Sequence, residues 1–290
     1  MAAPFPTCYL NGDYLPLSEA RISPLDRGFL FGDGAYEVMP VYGGRPFRLQ
    51  AHCARLTRSL AELRMGDPLS HEQWRSVFAT LIERGGGGDQ YLYWQVTRGA
   101  EPQRCHAPLP EIPRTVFAFS APWPVVARAT LEQGLACVTA ADTRWARCDI
   151  KSTALLANVL LRQLAVDAAA AETILLRDGQ LTDASASAVH VVIAGEVRTP
   201  PNSPAILPST TRAVVEELAA RAAVPCRAAA VSERELRSAE EIWLSAATRE
   251  VQPVTRLDGR PVGDGRPGPL WRRIDAAFQQ WKVELRAQPW

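Results

Sequence analysis

Four groups of residues have the types and spacing to do chemistry. Lys151 lies in RWARCDIKST and is followed by TALLANVLLRQLAVDAAAA, whose apolar spacing predicts a helix beginning close to the lysine. An amine becomes a nucleophile when it gives up its proton more readily, which partial burial and the positive end of a helix both favour; the plain alternative is a lysine on a solvated face. In LPSTTRAVV, Ser209, Thr210 and Thr211 bring hydroxyls and backbone amides to a predicted helix start. Such a start can hold a dianionic phosphate, or simply cap the helix. Asp183 in LTDASASA follows a predicted hairpin, where a carboxylate can keep a ring nitrogen protonated or stand exposed in a turn. Arg104 and His106 alternate in an irregular loop, a spacing suited to clasping a carboxylate.

A nucleophilic amine, an anion site and a ring partner are together the parts that pyridoxal 5'-phosphate (PLP) chemistry requires. Neither G-x-G-x-x-G nor a Walker lysine is present, which argues against a dinucleotide or nucleoside triphosphate as the owner of the phosphate. The 32 basic and 31 acidic side chains leave a net charge of +1, giving no electrostatic footprint for nucleic acid or an anionic membrane. The expected partner is a small molecule. The start, MAAPFPTCYLNG, lacks a basic segment followed by an apolar one, and no apolar run has the length of a bilayer span. Cys8, Cys53, Cys105, Cys137, Cys148 and Cys226 are scattered without a C-x-x-C pair, so neither a zinc site nor a disulfide framework is expected. A reducing, cytoplasmic setting fits these features.

The elements that must position these residues follow from periodicity and turn signals. Asn11-Gly12 marks a turn between short extended pieces, and Tyr36, Val38 and Val41 suggest a strand ending at Gly43-Gly44. AHCARLTRSLAELRM has helical spacing, and SHEQWRSVFATLIERGG opens on Ser70 as a possible N-cap and closes in glycines. DQYLYWQVTRG and TVFAFS read as strands on either side of a proline-punctuated loop from Glu101 to Ile112, and APWPVVARA is the expected linker. Beyond it LEQGLACVTA is strand-like, and hairpins are predicted at Asp178-Gly179 and Ala194-Gly195. Helices are expected over LPSTTRAVVEELAARAAV and at the end over LWRRIDAAFQQWKVEL. Strands and helices mix without the alternation of a doubly wound fold, so the class is α+β.

Five stretches in order, DRGFLFGDGAYEV, HCARL, YWQVTRG, RWARCDIKS and LSAATREVQPV, closely resemble the fold-type IV PLP-dependent aminotransferases, over nearly the whole chain. Within them the sequence is most similar to the D-amino-acid aminotransferase branch. The resemblance implies a small N-terminal α/β domain (residues 1–120), a linker (121–130) and a larger pseudo-barrel C-terminal domain (131–290), with the cofactor between the two. It makes Lys151 the Schiff-base lysine and Arg55 a phosphate ligand. Ser209, Thr210, Thr211, Ala246 and Ala247 fall on the phosphate loops, and Asp183 on the acidic partner of the ring nitrogen. Tyr36, Arg104 and His106 match the carboxylate clasp and Tyr93 a further pocket wall. The Arg-His loop comes from the neighbouring subunit in the family pattern, implying a homodimer.

The implied reaction is a ping-pong transfer through a Lys151 aldimine from a D-amino acid to a 2-oxo acid. Branched-chain L-amino-acid and (R)-amine transaminases share the Lys151 and phosphate features and differ in the carboxylate trap; an aminodeoxychorismate lyase would leave the Arg-x-His pair without its role, and a non-catalytic ligand-binding homologue is the alternative that missing phosphate-loop hydroxyls and a shortened ring acid would favour. This chain departs from the family in places. Asp183 stands where glutamate is usual, Ser209 where glycine is common, and Ala246-Ala247 where hydroxyls are frequent. Each lost charge-assisted bond to phosphate would cost about 1.5 to 3 kcal/mol of cofactor retention. Pro40 replaces a basic residue of the closest relatives, and TRGAEPQRCH has one residue more before the Arg-x-His pair.

Overall fold

The computed structural model describes residues 3–287, in two compact units. The first runs to Pro124 and adds Ile150–Leu155 and the residues from Leu285 on; the second comprises Val125–Asp149 and Leu156–Glu284.

The first unit contains β1 (Thr7–Leu10), β2 (Asp13–Pro16), α1 (Arg27–Phe31), β3 (Gly34–Tyr42), β4 (Arg45–Pro46), α2 (Leu49–Glu62), α3 (His71–Arg84), β5 (Gln90–Thr97) and β6 (Thr115–Pro122). Its six strands form an antiparallel sheet in the order β2-β1-β6-β5-β3-β4. One face carries Ala35, Met39, Val41, Leu92 and Trp94, packed with Leu56, Leu60, Trp74 and Phe78 of α2 and α3 into a single core. The predicted capping of α3 is present in full, since Ser70 accepts from the Gln73 amide and the Gln73 side chain accepts from the Ser70 amide.

On β3 the core face is carried by Ala35, Met39 and Val41, while Tyr36 and Val38 lie half-buried on the opposite face. Apolar residues on both faces hide the alternation that would have separated them. Pro40 is tolerated because its carbonyl accepts from Phe47 on the β4 side of the strand, so the amide it lacks would have pointed to that edge and not to β5.

The second unit contains α4 (Arg128–Gln133), β7 (Leu135–Ala141), α5 (Leu156–Asp167), β8 (Glu172–Arg177), β9 (Gln180–Ala184), β10 (Ala188–Ile193), β11 (Glu196–Thr199), α6 (Thr210–Arg221), β12 (Cys226–Ala228), α7 (Glu233–Arg237), β13 (Glu241–Ala246), β14 (Glu250–Leu257), β15 (Arg260–Pro261) and α8 (Pro269–Arg286). The strands run β12-β11-β10-β13-β14-β7-β8-β9, with β15 on β14. β9 is last in that order and β10 third, yet only residues 185–187 join them, with Ala184 N donating to Ser187 O at 2.8 Å. The sheet must therefore curl back on itself, which gives the pseudo-barrel its form.

Both predicted hairpins form around a positive-φ pair, Asp178 (52°) with Gly179 (71°) and Ala194 (50°) with Gly195 (71°), as two-residue turns require. LEQ, expected to begin a strand, instead closes α4, and β7 starts at Leu135 after Gly134 breaks the helix at φ 70°. No helix of the described residues is long and apolar enough to cross a membrane.

Candidate active site

Lys151 is held by its backbone against β3. Tyr36 N donates to its carbonyl at 3.0 Å, its own amide donates to Ser59 Oγ at 3.3 Å, and Ser152 bridges Ala35. Thr153 completes the attachment through its amide to Gly34 O (2.9 Å) and its hydroxyl to Gly32 O (3.0 Å). Gly32 is at φ 68°, and a Cβ there would stand 2.9 Å from the Ala154 backbone, so only glycine allows this approach. The helix expected close to Lys151 begins at Leu156, because residues 150–155 are spent on pairing with β3. A helix N-terminus is thus not what surrounds the amine. Its Nζ lies 4.2 Å from the centre of the Tyr36 ring and has no carboxylate partner among the described residues.

Tyr36 stacks on Tyr93 at 5.7 Å, and Tyr93 on Phe119 at 5.1 Å, making an aromatic wall on the half-buried sheet face. Tyr93 donates its hydroxyl proton to Gln95 Oε1 at 2.7 Å, and burial pushes its phenol above the ordinary range.

Behind β3 lies a buried triad whose importance the sequence did not reveal. Glu37 takes Arg55 through two bonds of 2.6 and 2.7 Å and His52 Nδ1 at 2.8 Å. Burial would push the Glu37 carboxyl up, but the charge and bonds of Arg55, with those of His52, hold it at about 2. Burial first, and then the charges of Arg55 and Lys151, keep His52 below the ordinary histidine range despite Glu37. A neutral His52 donating from Nδ1 is the state these neighbours select. Arg55 thus enters any phosphate contact from a guanidinium already oriented by a bidentate bond. Glu37 and His52 stand in the motifs AYEV and HCARL, so their spacing to Arg55 was available, but their burial was not.

Arg104 and His106 lie in the exposed loop between β5 and β6, and both meet Phe31 at the end of α1. The Arg104 guanidinium carbon is 4.8 Å and the His106 ring 5.4 Å from the Phe31 ring centre.

In the second unit Asp183 is buried on β9, and burial pushes its carboxyl up to about 6, against the pull of Arg144. Arg144 reaches Asp183 at only 3.4 Å because Asp142 holds the guanidinium at 2.9 and 3.0 Å and Ala205 O takes a further bond of 3.1 Å. Asp142 is fixed in turn by Arg177 at 3.1 Å and Thr182 Oγ1 at 2.8 Å. Neither Asp142 nor Arg144 stands out in the sequence, although Arg144 opens the motif around Lys151.

Ser209 is the N-cap of α6: its hydroxyl accepts from Arg212 N at 3.1 Å. Thr210 and Thr211 are the first helical residues, half-buried and buried. Ala246 ends β13 and Ala247 opens the turn to β14, both half-buried. Next to them Ser245 is buried and bonded to His190 Nε2 at 2.9 Å. His190 Nδ1 has no partner among the described residues, and burial pushes this ring down to about 3, so it stays neutral. Glu172, also buried, accepts from the hydroxyls of Ser185 and Ser187 and faces Arg249 at 3.6 Å, which orders the turn following Asp183.

The donor set fits PLP. An amine without a carboxylate partner can carry an aldehyde carbon. Among the described residues the Asp183 carboxylate accepts from Arg144 at 3.4 Å and from the Ala184 amide, which suits it to a protonated ring nitrogen.

The sequence model of one protein family, described as amino-transferase class IV, matches residues 34–257. The chain is 38% identical over 271 residues to a D-alanine aminotransferase of Bacillus licheniformis, covering 93% of this chain and 94% of that one. A D-alanine aminotransferase of Staphylococcus haemolyticus is 33% identical over 279 residues, covering 96% and 98%. Among solved structures, the branched-chain amino acid aminotransferase of Escherichia coli superposes with a TM-score of 0.91 at 23% identity, covering 100% of this chain and 98% of that one. The T.th. branched-chain amino acid aminotransferase with pyridoxamine 5'-phosphate gives 0.90 at 24%, covering 99% and 97%. At those identities the structural likeness establishes the fold.

Proposed function

Because the chain belongs to the amino-transferase class IV family, we propose that it is a PLP-dependent transaminase that moves the amino group of a D-amino acid to a 2-oxo acid. The observation that carries this reading is the Lys151 amine, anchored by its backbone to β3 and left over the Tyr36 ring without a carboxylate partner among the described residues. The choice of D-amino acids is supported by the two relatives above and by the Arg104–His106 pair.

When bound, PLP supplies a conjugated, protonated ring that stabilises negative charge at the substrate Cα. Lys151 would hold the cofactor covalently between turnovers and, once displaced, carry the proton removed from the substrate Cα. Asp183 would keep the ring nitrogen protonated, with Arg144 and Asp142 limiting where its carboxylate can turn. Arg55, Ser209, Thr210 and Thr211 would bind the phosphate, and Ala246 and Ala247 would contribute backbone amides alone. Tyr36, Arg104 and His106 would clasp the substrate carboxylate, with Tyr93 as the wall beside them. The Tyr36 ring, 4.2 Å from the Lys151 Nζ, would lie beside the path of that proton.

A spectral half-reaction with paired enantiomers tests the reading. D-alanine or D-glutamate is expected to bleach the bound cofactor's visible band and the L-enantiomers to leave it. Conversion by L-leucine alone would overturn the assignment of handedness.

We also propose a homodimer, in which the loop of Arg104 and His106 serves the neighbouring subunit's substrate. Support comes from α5, where Leu156, Val159, Leu160 and Leu164 are 72%, 60%, 60% and 45% exposed and, at helical spacing, form one apolar stripe. Sedimentation at micromolar concentration should give a two-chain mass, and Leu160→Lys should drive it towards one chain. The six free thiols suit a cytoplasmic location.

A further inference from the structure

The loop that carries Arg104 and His106 has no secondary structure of its own from residue 101 to 112. Among the described residues, the only hydrogen bonds reaching residues 102–111 come from two side chains. Arg27 Nη1 donates to Cys105 O at 2.5 Å and Arg27 Nη2 to His106 O at 3.0 Å, while Glu101 Oε1 accepts from Leu109 N at 2.7 Å. Glu101 is itself held by Arg27 Nη1 at 3.0 Å, so all three attachments pass through one guanidinium.

That guanidinium is built in. Arg27 is 4% exposed and Glu101 5%. Arg27 Nε donates to Asp33 Oδ2 at 2.9 Å, and Arg98 holds the same carboxylate at 2.7 and 3.1 Å. The Arg27 backbone is pinned as well, its amide donating to Gly99 O at 2.9 Å beside the Asp26–Ala100 bridge. Gly99 permits the loop's closure, since at φ 104° a Cβ would lie 2.0 Å from Pro113 O. Arg27 also lies 4.8 Å from the Phe31 ring centre, the ring on which Arg104 and His106 rest.

We propose that Arg27 is a positioning residue for substrate selection: by gripping the carbonyls of Cys105 and His106 it sets where the Arg104–His106 pair meets a substrate carboxylate. This rests on the reading of that pair as the carboxylate clasp. Two carbonyls, one inside the pair and one at its end, are held by the two Nη atoms of one rigid guanidinium, a fork that a lysine could not reproduce. Phe31 then limits the side chains and Arg27 the backbone. Neither contact involves Lys151 or the residues assigned to the cofactor, so loosening the loop should weaken capture of the substrate while sparing the chemistry.

The test uses the holoenzyme and its Arg27→Met and Arg27→Lys variants, with D-alanine as amino donor. Arg27→Met is expected to raise KM for D-alanine by about tenfold or more, the scale of one lost charge-assisted contact, with a much smaller change in kcat. Peptides covering residues 101–112 should exchange backbone hydrogens faster, the cofactor's visible band should be unchanged, and Arg27→Lys should be intermediate in both readouts. Should Arg27→Met fold poorly because Glu101 is stranded, the double variant Arg27→Met/Glu101→Gln removes the lone charge and carries the same expectation. Unchanged exchange in the loop, or unchanged KM with a loosened loop, overturns the proposal. A wild-type chain that turns over neither enantiomer would defeat the functional reading separately, and the exchange measurement would still decide whether Arg27 holds the loop.

Discussion

Lys151→Ala is expected to lower amino transfer by about 10³-fold or more, the scale of a lost nucleophile and proton carrier, while leaving thermal stability nearly unchanged. The dissociation follows from how the residue is held. Its anchors are the carbonyl that accepts from Tyr36 and the amide that donates to Ser59, and both survive the substitution. The side chain makes no ion pair among the described residues; it contributes the contact with the Tyr36 ring, about 0.5 to 1 kcal/mol for a partly exposed site. A structural lysine would behave in the opposite way, with its loss felt in stability first. Lys151→Arg is expected to be as inactive as alanine, since a guanidinium stays protonated and cannot take up the role. Single-turnover reaction with D-alanine and a thermal melt on the same preparations check both halves. Retention of a tenth of the wild-type rate would rule out the role given to this amine.

How much of this was legible beforehand depended on whether a residue's role lies in local pattern or in distant burial. Ser70, the Asp178-Gly179 and Ala194-Gly195 turns and the cap at Ser209 were readable because each is fixed by neighbours within a few positions. The start of the helix after Lys151 is hidden for the opposite reason: the apolar pattern continues back through Leu155, but hydrogen bonds to β3, more than a hundred residues earlier in the chain, claim residues 150–155. Tyr36 and Val38 were recognised as strand residues without their face, because β3 is apolar on both sides.

The charged residues behind the site were the hardest to find. Glu37, His52, Asp142 and Arg144 acquire meaning only once two separate pairs have formed, Glu37 with His52 in the first unit and Asp142 with Arg144 in the second. The same holds for Arg27, whose four acceptors include Glu101, Cys105 and His106, some 75 positions away and legible only once the loop has closed. By contrast Lys151 and Asp183 stand out from local signals, a predicted helix start and a predicted hairpin, and the family resemblance gives each its role. What the fold adds is their environment, an amine over the Tyr36 ring and a carboxyl that burial makes reluctant to ionise.

That reluctance yields opposite effects of one substitution on stability and on activity. In the folded chain Asp183 is pushed up to about 6, whereas in the unfolded chain it titrates near the ordinary value of about 3.9. Between those values the folded state holds the extra proton, so its stabilising contribution is full below pH ~3.9 and is lost as the pH rises through about 6. At pH 7.5 the cofactor-free protein therefore carries an ionised, buried carboxylate at a cost on the order of 2 to 3 kcal/mol. Asp183→Asn removes the charge with little change of volume. The cofactor-free variant is expected to be more stable than wild type at pH 7.5 and to lose that advantage at pH 4, as seen in urea midpoints at the two values. Activity should move the other way. A neutral amide cannot hold a proton on a ring nitrogen by charge, and the expected loss is about 10²- to 10³-fold in kcat, the scale of one deleted electrostatic contact at a reacting centre. Asp183→Glu keeps the charge and should remain active, at the packing cost of one methylene in a buried position. Arg144→Met is expected to fall between these two, because it frees the Asp183 carboxylate to turn and leaves Asp142 to Arg177 and Thr182, yet keeps the acid in place. If Asp183→Asn were both less stable at pH 7.5 and fully active, the buried acid would be a structural partner of Arg144 alone.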